Sequence, residues 1–242
     1  MFTNIHTKLS LLGLFVSGLA LFQASADTDP FNPVGSLTVT PGTVQAGIHT
    51  NLDWNIQYPT LVTDIVEIDD DDSITTKTET RVQLRVVGAS WSTATTFFNV
   101  QGFARIGGTF WRQVFFGREN DINPFHYPID QVVAPGTRID VAARGNLGGN
   151  SWTSWRWTLS DDPNVVALVN GDPAPTVTAA HSIQNDVETY LTQFLSDDGT
   201  IILGPRDVIY LFDFNTFGSV GYDLQDFVCV LTFTETEAIA QN

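Results

Sequence analysis

The sequence predicts a mainly β protein: a β-sandwich over residues 34–171, followed by a small α+β module over 176–242 with one amphipathic helix. Three observations carry this expectation. Through the first two thirds of the chain, short stretches alternate apolar and polar residues at a period of two and are cut by Gly and Pro turns. Between two of these stretches stands a glycine pair, Gly107-Gly108, the composition of a tight hairpin turn. Beyond "DPAPT" (172–176), the best linker in the chain, the apolar residues shift to a helical period.

Residues 1–26 read as an export signal. Lys8 gives a basic start, "LSLLGLFVSGLALF" (9–22) an apolar stretch, and "ASA" (24–26) a small-residue cleavage site. The apolar stretch is shorter than the roughly 20 residues that span a bilayer. A secreted, periplasmic or cell-surface location is therefore expected, with no transmembrane segment in the remaining 216 residues (242 − 26). That length suffices for a sizeable core.

In "SLTVTPGTVQAGIHTNLDWNIQYP" (36–59), Leu37 and Val39 alternate, Pro41-Gly42 turns the chain, and Leu52, Trp54 and Ile56 alternate again. The stretch resembles the first strands of bacterial immunoglobulin-like domains, where a turn and a glycine precede a strand bearing an inward Trp. That resemblance implies an immunoglobulin-like sandwich and no activity. Two strands, 61–68 and 81–87, then flank Asp69 to Asp72. Four adjacent aspartates lack the alternate ligand positions and sixth-position glycine of an EF-hand loop, so a solvated acidic loop is expected.

"VQGFARIGGTFWRQVFF" (100–116) reads as a hairpin about Gly107-Gly108. A two-residue loop sets Ile106 opposite Thr109, Ala104 opposite Trp111 and Phe103 opposite Arg112. Val100, Gly102, Ala104, Ile106, Trp111 and Phe115 then form a core face. Phe103, Arg105, Phe110 and Arg112 share the other face, with guanidinium groups beside rings across the ladder. A turn plus strand follows over 132–145, with Ile139 and Val141 alternating against Arg138 and Asp140, and a further strand over 164–171. Past the linker, Ile183, Val187, Tyr190, Leu191, Phe194 and Leu195 fall at helical spacing, predicting a helix over 183–195; it either belongs to a separate module or covers one end of a single continuous sheet. The strands at 200–203 and 207–214 lead to "GYDLQDFVCVLTF" (221–233). Its Phe227, Cys229, Leu231 and Phe233 alternate with Val228 and Val230, predicting a strand inside a sheet. The stretch 207–233 resembles the ends of uncharacterised modules on secreted bacterial proteins, in which an aspartate-containing turn leads into a last apolar strand. It implies a surface-associated setting and no reaction.

Charge narrows the function classes. Residues 27–80 carry one base and ten acids, a net of −9; 81–156 carry eight arginines and four acids, a net of +4; 157–242 carry one base and thirteen acids, a net of −12. A nucleic-acid partner is not expected from this balance. His49, His126 and His181 stand in no hydrolase or zinc motif. Cys229 has no partner in its own chain and only apolar neighbours, so it reads as a packing residue. The expected function is non-catalytic binding or structure at the cell exterior. The Arg/aromatic face of Phe103, Arg105, Phe110 and Arg112 is the candidate for an anionic extracellular polymer, since guanidinium forks and rings suit sugars bearing carboxylate or sulfate. Self-assembly, the arginine-rich middle of one copy meeting an acidic segment of another, is the alternative. A polysaccharide-active enzyme comes third. No cofactor is expected other than calcium, whose oxygen-only ligand set Asp207, Asp213, Asp223 and Asp226 would match if the last strands are neighbours. Asp223 and Asp226 read first as turn formers.

Overall fold

The computed structural model describes residues 31–39, 52–93, 96–108, 110–177 and 192–236. The stretch expected to be an export signal, residues 1–26, lies outside them. The chain begins with β1 (Val34–Val39) and β2 (Leu52–Gln57), then a single helical turn α1 (Val62–Ile65). Next come β3 (Val66–Ile68), β4 (Ile74–Thr76), β5 (Thr80–Gly88), β6 (Ser92–Thr93) and β7 (Thr96–Phe97). The middle of the chain forms β8 (Val100–Ile106), β9 (Arg112–Gly117), β10 (Ile129–Val133) and β11 (Arg138–Gly148). The short β12 (Ser151–Trp152) and β13 (Arg156–Trp157) precede β14 (Val165–Leu168). The last strands are β15 (Asp207–Phe212) and β16 (Phe227–Glu235).

The protein is mainly β, as its alternating apolar pattern predicts. Five strands pair in the order β10-β5-β16-β15-β14, and seven build a second sheet, β3-β4-β11-β8-β9 with β12 and β13 along β11. Both sheets feed one core. The first contributes Val82, Leu84, Tyr210, Phe212, Phe227 and Phe233; the second Val100, Ala104, Ile139, Val141 and Ala143. Gly102 is required there, because a Cβ on it would stand 2.5 Å from the Phe227 ring.

β16 lies between β5 and β15, in the sheet interior as expected. Its odd positions face the shared core. Val228 and Val230 face a second cluster with Ile209, Leu211, Phe194, Ile201, Leu203 and Leu224. Burial pushes the Cys229 thiol well up, which keeps it inert. Since β15 and β16 pair with β5 and β14, strands from both sides of the 172–176 linker share one sheet. Of the helix expected over 183–195, residues 183–191 lie outside the described residues, and Thr192–Phe194 is a single 3-10 turn.

Two expectations are corrected. The immunoglobulin-like resemblance implied an inward Trp54, but β1 and β2 form their own two-stranded sheet and Trp54 is 69 % exposed. The hairpin about Gly107-Gly108 also closes differently. Ala104 pairs with Arg112 and Phe103 with Gln113, one residue out of the expected register, and the ladder shifts again between Gly102 and Phe103. Both glycines take φ near +70° (66° and 70°) as the turn demands. The Gly107 amide donates to the Arg138 carbonyl at 2.8 Å, continuing the β8–β11 ladder past Ile106, while the β8–β9 ladder starts only at Ala104 and Arg112. The loop therefore extends to Trp111, and Val114 takes the buried place expected for Trp111.

Candidate functional site

The outer face of the seven-stranded sheet carries an unusual set of side chains. On β8 the outward residues are Gln101, Phe103 and Arg105, since Val100, Gly102 and Ala104 point to the core. On β11 the outward set is Asp140, Ala142 and Arg144. The ladder places Arg105 opposite Asp140, Phe103 opposite Ala142 and Gln101 opposite Arg144. On its other side Ala142 pairs with Trp157 of β13. A row of Phe103, Ala142 and Trp157 thus crosses three strands, with a single methyl group at its centre.

That small residue makes a hole. Ala142 is the floor of a pocket of about 190 Å³ walled by Phe103, Trp111, Trp155 and Trp157. Trp155 meets Phe103 edge-to-face at 5.3 Å and 84°, which fixes the indole upright at the rim. Trp157 remains 37 % exposed. A cavity near 150 Å³ has room for a benzene-sized molecule, so this pocket has the volume of about one ring.

Arginines flank it on two sides, and their surroundings differ. Arg105 lies over Trp111 at 5.1 Å and donates from Nε and Nη2 to Asp140 Oδ2, at 3.0 and 2.7 Å. Asp140 is fully buried and also accepts from Arg138 Nε at 2.9 Å; Arg138 reaches on to Asp71 at 2.7 Å. The Asp71 and Asp140 hydrogen bonds raise the Arg138 pKa. For Asp71, burial pulls upward, yet the hydrogen bonds from Arg138 and Ser73 bring it below the ordinary carboxylate value. The charge of Arg105 is therefore matched within the sheet.

Arg144 is placed otherwise. Its guanidinium carbon lies 4.3 Å from the Trp155 ring centre and 4.7 Å from that of Trp152. Its Nε donates to Gln101 Oε1 at 3.0 Å, and Gln101 Nε2 donates to Gln113 Oε1 at 2.9 Å, so a polar chain across three strands holds it. No carboxylate pairs with it among the described residues. Comparison with protein-family models, curated proteins and solved structures returns no match.

Of the residues singled out from sequence, Phe103 and Arg105 stand at this pocket. Phe110 is 93 % exposed on the loop beside Trp111, and Arg112 is exposed at the start of β9. The expected Phe103–Arg112 and Arg105–Phe110 pairs do not form, because the register slip gives Phe103 to Trp155 and Arg105 to Trp111. Sequence reasoning passed over Ala142 and Arg144. The visible signal was "SWTSWRW" (151–157), three tryptophans close in sequence to arginines.

The aspartates expected to gather near the last strands separate into two places. Asp207 pairs with Thr232 at one end of β15, and its carboxylate accepts from the Thr232 hydroxyl at 2.6 Å. Asp213, Asp223 and Asp226 meet beyond the other end, roughly 20 Å away at the rise of an extended strand. All three are fully buried. Asp213 works as a turn former: it accepts from the amides of Asn215 (2.7 Å), Asp223 (2.6 Å) and Leu224 (3.0 Å), while Asp226 Oδ2 accepts from the Phe214 amide at 2.6 Å. Burial, then the Asp213 charge, pushes Asp223 up to about 7 and Asp226 well above its ordinary value. Among the described residues no three acid, thiol or imidazole groups are arranged to hold a metal ion. The acidic loop is likewise tied down: Asp69 accepts from Ser73 and Thr75, Asp71 from Arg138, and Asp72 from the Ala167 amide.

Proposed function

We propose that this chain is an exported, non-catalytic binding protein of the cell exterior that takes an anionic extracellular polymer on its Arg/aromatic sheet face. The observation that supports this reading best is the pocket over Ala142. A solvent-facing sheet surface ordinarily carries polar side chains, and concave apolar lining on such a surface marks a binding site. Indole walls suit the C–H faces of sugar rings, and Arg144 and Arg112 supply positive charge beside them. Magnitude favours a polymer over a single small sugar. Covering on the order of 100 Å² of indole gives ~2.5 kcal/mol at ~25 cal/mol per Å², less than the ~4.1 kcal/mol of millimolar binding. Useful affinity then needs charge-assisted hydrogen bonds or several units of one chain.

Retention on an immobilised anionic polysaccharide at low salt tests the reading. Wild type is expected to be retarded and Ala142→Leu, which fills the pocket from its floor, is expected to elute unretarded. Equal retention of the two would overturn it.

A self-assembling surface or matrix component is the second reading. It draws support from the β1–β2 hairpin, where Leu37 pairs with Trp54 and Gly35 with Ile56 on one face. Leu37, Trp54 and Ile56 are each at least half exposed (53 %, 69 % and 50 %). An isolated two-stranded sheet is marginal in water, and covering such a face with another copy would stabilise it.

A further inference from the structure

We infer that the pocket recognises one acidic sugar residue of the chain, a hexuronate-type ring whose carboxylate docks on Arg144. This rests on the binding reading above and specifies its ligand. Arg105 and Arg138 already share Asp140 and Asp71, which leaves, beside the pocket, Arg144 and the exposed Arg112 without a carboxylate partner among the described residues; of these two, Arg144 is the one whose guanidinium lies over a pocket-lining indole. Its Nε is committed to Gln101, while its terminal amino groups have no hydrogen-bond partner among the described residues. Trp152 and Trp155 cover the guanidinium at 4.7 and 4.3 Å. An indole-covered guanidinium offers its edge rather than its face. A planar carboxylate meets that edge with two parallel hydrogen bonds in one plane. A tetrahedral sulfate can make the same two bonds, but its two remaining oxygens then stand on either side of that plane.

The pocket's size sets the other half of the specificity. At about 190 Å³ it has room for one ring, and Trp155 borders both the pocket and the guanidinium. One residue thus joins the apolar wall to the charged fork. A ring on the pocket floor with a carboxyl substituent directed past Trp155 satisfies both at once. The polar chain Arg144–Gln101–Gln113 fixes the fork before the ligand arrives, so little side-chain freedom is lost on binding.

Titration of the full chain with three probes, followed by indole fluorescence, tests this. The probes are a soluble polyuronate, the same polymer with its carboxyls reduced to alcohols, and a sulfated neutral glucan. Wild type is expected to bind the polyuronate at least tenfold more tightly than either of the others. Arg144→Gln should bring the polyuronate down to the level of the reduced polymer and leave the reduced polymer unchanged. Ala142→Leu should weaken all three. Equal wild-type affinity for polyuronate and reduced polymer, preference for the sulfated glucan, or a tenfold preference surviving in Arg144→Gln would each overturn the carboxylate assignment. If Ala142→Leu binds all three as wild type does, the binding reading itself falls.

Discussion

Asp140 is the residue on which the outer sheet face turns. It is fully buried, yet it holds two guanidinium groups at 2.7 and 2.9 Å. Removing one partner of a buried ion pair typically costs ~3–5 kcal/mol, because the remaining charge is left unmatched in a poor dielectric. Arg105 and Arg138 are themselves partly exposed and Arg138 keeps Asp71, so Asp140→Ala is expected to fall below that range, lowering stability by roughly 2 kcal/mol in urea unfolding. The exposed Arg81–Asp130 pair, also on a sheet face, is the control: Arg81→Ala should leave the midpoint unchanged, as surface pairs screened by water contribute little. Equal effects from the two would show that Asp140 does not organise the site. The contrast also separates Arg105, so prominent in the sequence and paired within the sheet, from Arg144, whose terminal amino groups have no hydrogen-bond partner among the described residues.

At the scale of elements, the turn between β15 and β16 stores a pH dependence. Asp223 and Asp226 are raised by burial first and by the Asp213 charge second, while Arg156, bound to Asp162 and the Asn215 carbonyl, pulls Asp226 back only in part. Their folded pKa values lie above the unfolded value near 4, so the folded chain keeps protons that the unfolded chain has lost. Stability from these groups is full below about pH 4 and falls as pH rises toward 7, by roughly 1.4 kcal/mol per pH unit for each retained proton. Asp72, raised to about 6 by burial and by the charges of Asp161 and Asp71, acts in the same sense. The melting temperature should therefore decline from pH 5 to pH 8, and Asp223→Asn should flatten the decline. A melting temperature that rises over this range would contradict the burial of uncompensated carboxyls in the turn.

The same turn shows which features were legible beforehand. β16 could be placed inside a sheet because seven residues, Phe227 to Phe233, are apolar at both parities save Thr232, a local property of the sequence. The turn role of Asp223 and Asp226 was likewise legible, from short acids ahead of a strand, whereas that of Asp213, which accepts from three turn amides, was not. Hairpin register was not, since the ladder slips between Gly102 and Phe103 and no local pattern distinguishes Arg112 from Trp111 as the partner of Ala104. The pocket was hidden for the same reason. Alternation puts Ala142 on the outer face, but only its pairing with both Phe103 and Trp157 turns a small residue into a floor.

For the molecule as a whole, the charge distribution and the β1–β2 hairpin bear on association. If copies meet through the hairpin's apolar face, the apparent mass in light scattering at micromolar concentration should rise with protein concentration and persist at high salt. Contacts between acidic and arginine-rich segments would instead dissolve as salt screens them. A monomer at both salt extremes would remove the assembly reading and leave the pocket as the functional feature. The pocket itself is tested most directly by the six indole N–H resonances during titration with a soluble anionic polysaccharide. Trp111, Trp155 and Trp157 should shift together. Trp91, buried and donating to the Asn146 carbonyl at 2.6 Å, and Trp54, on the separate hairpin, should stay in place. Shifts confined to Trp54, or no shift at any indole, would contradict a binding site over Ala142.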